Sequence, residues 1–97
     1  MDREKVKKEF GERVRLLRNE NEWNQEELAS KIELSVSALS DIELGKHLAR
    51  TETVYALCEV LETSADYLLG LKEYTPANHL AALLDGMDAK EIEFAED

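Results

Sequence analysis

The sequence predicts an all-α fold, with five short helices before Gly70 and a helical tail after it. Three observations carry this. Apolar residues recur three and four positions apart in each segment, the period of a helix buried on one face. Asn24, Ser35 and Ser64 stand just ahead of such segments, where a side-chain oxygen accepts from the free N–H groups of a first turn. No strand pattern of alternating apolar and polar residues competes with them.

The first helix is expected from about Val6 to Asn21, with Phe10, Val14 and Leu17 on one face and Arg and Lys crowding the outer side. Trp23 follows as an apolar anchor. The second helix starts after Asn24, and Glu27, three residues on, can reach back to close a capping box. Leu28, Ala29 and Ile32 form its inward face, and the small side chain of Ala29 suits a close crossing of two backbones. Ser35 caps the third helix, which turns Leu39 and Ile42 inward. A fourth is expected after Thr51, carrying Val54, Leu57, Cys58 and Leu61 into the core. Ser64 caps a short fifth helix bearing Leu68 and Leu69 and ended by Gly70.

Residues 1–70 therefore read as one domain, residues 71–76 as a linker and residues 77–97 as a C-terminal helical tail. Pro76 suits the start of a new helix, where its missing N–H costs nothing. Leu80, Leu83, Leu84 and Met87 then recur at helical spacing. A stripe that narrow needs a partner surface. Pairing with the same helix of a second subunit is the expectation, and folding back onto the domain is the alternative.

A chain of 97 residues, 43% hydrophobic, supports one modest core, so a homodimer would add stability. Its single cysteine, Cys58, excludes an internal disulfide and fits a reducing compartment, which points to the cytoplasm. No apolar run approaches the ~20 residues that span a bilayer, and the charged N-terminus lacks a hydrophobic signal core, so neither secretion nor membrane insertion is expected.

From Asn24 to Gly45 the two capped amphipathic helices are separated by a tight turn, the spacing of a helix-turn-helix. Gln25-Glu26-Glu27-Leu28-Ala29, then Leu39, Ile42-Glu43 and Gly45-Lys46, resembles the helix-turn-helix family of phage repressors and Cro, the XRE-type transcriptional regulators. The likeness runs from about Phe10 to Gly70. It takes in Phe10-Gly11-Glu12-Arg13, Leu17-Arg18 and the closing Asp66-Tyr67-Leu68-Leu69-Gly70. The fold it implies is a five-helix repressor-like DNA-binding domain. Its second motif helix, residues 36–44, would lie in the major groove while the first crosses the backbone.

Carried over residue by residue, the resemblance makes Gln25 a phosphate contact at the start of its helix. Ser35, Val36, Ser37, Ala38 and Asp41 take groove-facing positions, and Ser40 can also reach the groove. Lys46 and His47 match positions that touch backbone phosphates. Arg18 and Glu43 match a structural salt bridge linking the first and third helices. Where relatives often place Arg, Gln or Asn, this chain has Val36 and Asp41. Asp41 can accept from cytosine N4, while Val36 and Ala38 can meet a thymine methyl. Glu22 and Glu33 stand at turn positions where relatives often carry glycine. If those positions keep a positive φ, each glutamate costs roughly 1 kcal/mol relative to glycine. The loop Lys46-His47-Leu48-Ala49-Arg50 lacks the Asn-Pro often seen there.

Charge is segregated. The formal net charge is -10, and -5 of it falls on residues 71–97, yet residues 3–18 carry +4. From Leu34 to Arg50 the balance is zero, so few phosphates would be neutralised per subunit and binding should be salt-sensitive. Catalysis finds no support. His47 and His79 lack partners at ligand spacing, Cys58 lies on an inward face, and Trp23 and Tyr67 read as packing residues. No cofactor is implied.

The function expected is sequence-specific binding of double-stranded DNA by a homodimer at a palindromic operator, repressing transcription by occluding a promoter. The alternative is a protein-interaction module, or an antitoxin-like component, that keeps the scaffold with weakened base readout and binds a regulatory protein partner through its acidic surface and tail.

Overall fold

Five helices and no strand occur among residues 1–71, which the computed structural model describes. They are α1 (Arg3–Glu20), α2 (Gln25–Lys31), α3 (Val36–Glu43), α4 (Thr51–Leu61) and α5 (Ala65–Leu69). The all-α, five-helix reading is correct. Leu71, the first residue of the expected linker, closes the end of α5, while residues 72–76 and the stripe Leu80, Leu83, Leu84 and Met87 lie outside the described residues.

Four helices begin on a side-chain cap. Asp2 accepts from the Lys5 N–H at 3.1 Å, which starts α1 three residues earlier than the apolar period suggests. Asn24 accepts from the Glu27 N–H at 2.8 Å while Glu27 accepts from the Asn24 N–H at 3.1 Å, completing the capping box. Ser35 accepts from the Ala38 N–H at 3.1 Å, and Ser64 from the Tyr67 N–H at 3.0 Å. The exception is α4. It begins at Thr51, not after it, with Arg50 at the cap position and no side-chain cap bond.

All five helices end in the same way, with a six-to-one backbone bond closing the last turn. The donors are the N–H groups of Trp23, Leu34, Lys46, Thr63 and Leu71, and the acceptors the carbonyls of Arg18, Ala29, Asp41, Cys58 and Asp66. This Schellman closure needs a left-handed residue just before the donor. Gly45 and Gly70 supply it for α3 and α5, but Glu22 (φ 59°), Glu33 (φ 57°) and Glu62 (φ 52°) supply it for α1, α2 and α4. The Cβ of each glutamate crowds a carbonyl there, a strain of ~1–2 kcal/mol partly offset by the greater entropy a glycine loses. Glu33→Gly should therefore raise stability by about 0.5–1 kcal/mol, read as a higher urea midpoint. A lower midpoint would show that the side chain supplies more than the backbone loses.

Each helix contributes to one core. Leu28, Leu39, Leu57 and Leu68, one from each of α2 to α5, are fully buried, and Phe10 and Val14 meet them from α1. Burying such a side chain contributes ~1.5–3 kcal/mol. Ala29, Ile32, Ile42 and Leu61 complete the cluster, with Leu17, Trp23 and Leu34 packed on its edge. The long α1 is the keel, in contact with α3, α4 and α5, while α2 rests on α3. Its closest approach to α3 is at Gly11, where a Cβ would meet the carbonyl oxygens of Ile42 and Glu43.

Three assignments differ from the periodic reading. In α4 the buried positions are Thr53, Leu57 and Leu61, while Val54 and Cys58 are half-buried. Burial still pushes the Cys58 thiol up, which keeps it protonated near neutral pH. In α5 Leu68 is buried but Leu69, a further ~100° around the helix, is exposed. No described helix is long and apolar enough to cross a membrane.

Candidate nucleic-acid interface

The candidate interface begins with the inward face of α3, since what that face is fixed to determines what the outer face can present. Leu39 and Ile42 are buried in the core, and Glu43 is buried beside them. A carboxylate in that position must be compensated. Arg18 of α1 supplies the charge, donating from Nε to Glu43 Oε2 at 2.8 Å and from Nη2 to Oε1 at 2.9 Å. The third nitrogen, Nη1, donates to the Trp23 carbonyl at 2.8 Å. One guanidinium thus ties together α1, the turn before α2 and the end of α3. The Glu43 hydrogen bonds raise the Arg18 pKa above its ordinary value, against the opposing effect of burial.

Gln25, the first residue of α2, joins the same carboxylate. Its Nε2 donates to Glu43 Oε1 at 3.1 Å, which fixes the amide at the point where α2 and α3 converge. The amide carries a second N–H donor beyond this bond. The sequence singled out Gln25 as a contact; its link to Glu43 emerges only from the fold.

The outer side of α3 is small and weakly charged. Val36 and Ser37 are exposed in its first turn, next to the exposed cap Ser35. Ala38, Ser40 and Asp41 are partly exposed. The helix stops at Glu43 with Leu44 as its C-cap, one residue short of the 36–44 span. Leu44 is itself 63% exposed, as the end of the apolar period would require.

Beyond α3 the chain turns at Gly45, whose φ of 75° suits a residue without Cβ. A Cβ there would lie 2.9 Å from the Lys8 Cα, so this turn packs directly on α1. Lys46 and His47 follow, both exposed. The packing sets the backbone of Lys7 and Lys8 against the turn that precedes Lys46. Lys7 is paired with Glu4 at 2.8 Å. His47, which has no partner at helical spacing, has one in space: its Nε2 stands 3.7 Å from Asp41 Oδ2.

The described residues thus bring Gln25, the outer face of α3 and the Lys46-His47 loop together around the Arg18–Glu43 pair. No cluster of metal-binding side chains occurs among them. The model of a protein family described as helix-turn-helix matches residues 14–68, more than half of the chain. No curated protein matches the sequence.

Proposed function

Because the chain belongs to the helix-turn-helix family of the XRE, phage-repressor type, whose members are DNA-binding regulators, we propose that it is a homodimeric repressor of sequence-specific mode. In this reading α3 enters the major groove of a palindromic operator and α2 lies across the phosphate backbone. Gln25, Lys46 and His47 meet phosphates, while Ser35, Val36, Ser37, Ser40 and Asp41 face base edges. Leu80, Leu83, Leu84 and Met87 join two subunits so that their α3 helices enter successive grooves. The protein acts in the cytoplasm and represses by occluding a promoter.

The observation that carries this reading is the division of α3 into two faces. Leu39, Ile42 and Glu43 hold its inner face to the core, while Val36 and Ser37 open its first turn to solvent. A helix held so rigidly can carry readout on short side chains, because its backbone approaches the bases closely. The net charge of -10 and the absence of any cation on α3 favour the second reading, a protein-interaction module.

Selection from a random duplex library at low salt tests the choice. A palindromic consensus with half-sites about one turn apart is the expected result, and the absence of any enriched sequence favours the interaction module. On the selected site, Lys46→Ala should weaken binding to all sequences alike, whereas Ser37→Ala and Asp41→Ala should change which bases are preferred. Identical losses from all three would rule out the assigned roles.

A further inference from the structure

We propose that His47 is a positioning residue for Asp41 and makes duplex binding dependent on pH, an inference that rests on α3 being the groove helix. The backbone builds the pair. The Lys46 N–H donates to the Asp41 carbonyl at 2.9 Å, and Gly45 takes the left-handed conformation two residues before His47. His47 Nε2 then lies 3.7 Å from Asp41 Oδ2, with the imidazole 70% and the carboxylate 34% exposed. Both groups are open to a duplex and to protons.

The surroundings give the pair its leverage. Asp41 and Glu43 are the two charged residues of α3, and Glu43 is consumed by Arg18 and Gln25. Asp41 therefore brings an anion toward a polyanion. The other charged groups near the turn are Lys46 and Arg50 in the same loop, and Lys7 and Lys8 where α1 packs on Gly45. All four are cations, and Lys7 is paired with Glu4. His47 is the member of this set whose residue type titrates between pH 5 and 8.

With a neutral imidazole, Asp41 meets the phosphates uncompensated. With an imidazolium, the pair carries no net charge, and Oδ2 is held to His47 while Oδ1 remains to accept from a base amine. Removing water from the pair at the interface strengthens the attraction, so the complex holds the proton more firmly than the free protein does. Linkage sets the sign: binding takes up protons, and affinity must rise as pH falls, by at most about tenfold per pH unit per subunit.

The test measures the anisotropy of a fluorescent duplex of randomised sequence with the full chain at fixed ionic strength, at about pH 6 and about pH 8. Wild type, His47→Gln and Asp41→Asn are compared. Wild type should bind about fivefold more tightly at the lower pH, and His47→Gln should lose most of that dependence. Asp41→Asn should bind severalfold more tightly than wild type at the higher pH and gain less at the lower, because it no longer draws a proton onto His47. An equal gain from Asp41→Asn at both pH values would mean that His47 only touches phosphate, and would overturn the proposal. Flat wild-type binding overturns it alone, whereas no binding at either pH overturns the groove assignment of α3 along with it.

Discussion

Gly11→Ala should destabilise the protein by about 2 kcal/mol, although alanine is the better helix former by ~1 kcal/mol. The favourable part is local and ordinary: α1 is an 18-residue helix with Gly11 in its middle, and alanine would lower the entropy lost on ordering it. The unfavourable part is set by α3. The new Cβ would fall against the Ile42 carbonyl oxygen and 2.7 Å from that of Glu43. These are backbone atoms at the end of a capped helix, so no rotamer change relieves the overlap. The two helices must separate, which opens the core cluster that Phe10 and Val14 share with Leu39 and Ile42. For a domain of this size the net loss corresponds to a fall in Tm of roughly 8–16 °C, measurable by circular dichroism. An unchanged or higher Tm would show that α1 and α3 lie farther apart than described.

Gly11 also marks the boundary of what the sequence reveals. The periodic apolar residues and the caps Asn24, Ser35 and Ser64 are local signals, so the helices are legible directly, and so are the inward faces of α2 and α3, though not all of those of α4 and α5. A weak local signal misleads: Asp2 caps α1, but the first apolar position after it is Val6, so the apolar period points to a later start. Thr53 is buried because its position on α4 faces the core, whatever its polarity. The closeness of two helices has no local signature. Ala29 was read as the residue at a close crossing, and it is indeed buried, yet the Cβ-free contact between α1 and α3 belongs to Gly11.

The candidate site divides along the same line. Arg18 and Glu43 are 25 residues apart, and only the resemblance to repressors paired them; the structure joins them through two hydrogen bonds. Gln25 meets Glu43 across 18 residues, a contact that neither period nor spacing could suggest. His47 escaped because the six-residue step to Asp41 is not a helical interval. It closes only when a left-handed glycine ends the helix between them. Glu22 and Glu33 were legible as left-handed positions since glycine is usual there, while Glu62 has the same conformation without that cue.

The second large effect is expected from Glu43→Ala, at about 3–5 kcal/mol, since removing one partner of a buried ion pair leaves the other uncompensated. The side chains of Arg18 and Glu43 are only 11% and 2% exposed, so solvent screens little of the loss. The guanidinium keeps one acceptor, the Trp23 carbonyl, and Gln25 loses the contact that orients its amide. Duplex binding should therefore fall by more than the unfolded fraction explains. Arg18→Ala should cost as much near neutral pH, but the two variants should part as the solution is acidified. A buried carboxylate stripped of its cation can escape by taking up a proton, and a guanidinium cannot shed one in any accessible range. The Arg18→Ala deficit should thus shrink between about pH 7 and pH 5 while the Glu43→Ala deficit holds, because only the former gains stability from a proton bound in the folded state. Urea midpoints at the two pH values decide it. Parallel behaviour of the variants would mean that water reaches the pair and that α3 is held by its apolar face alone. Arg18→Leu combined with Glu43→Leu should recover most of the stability without restoring the placement of Gln25, separating what holds α3 in position from what orients the amide at the start of α2.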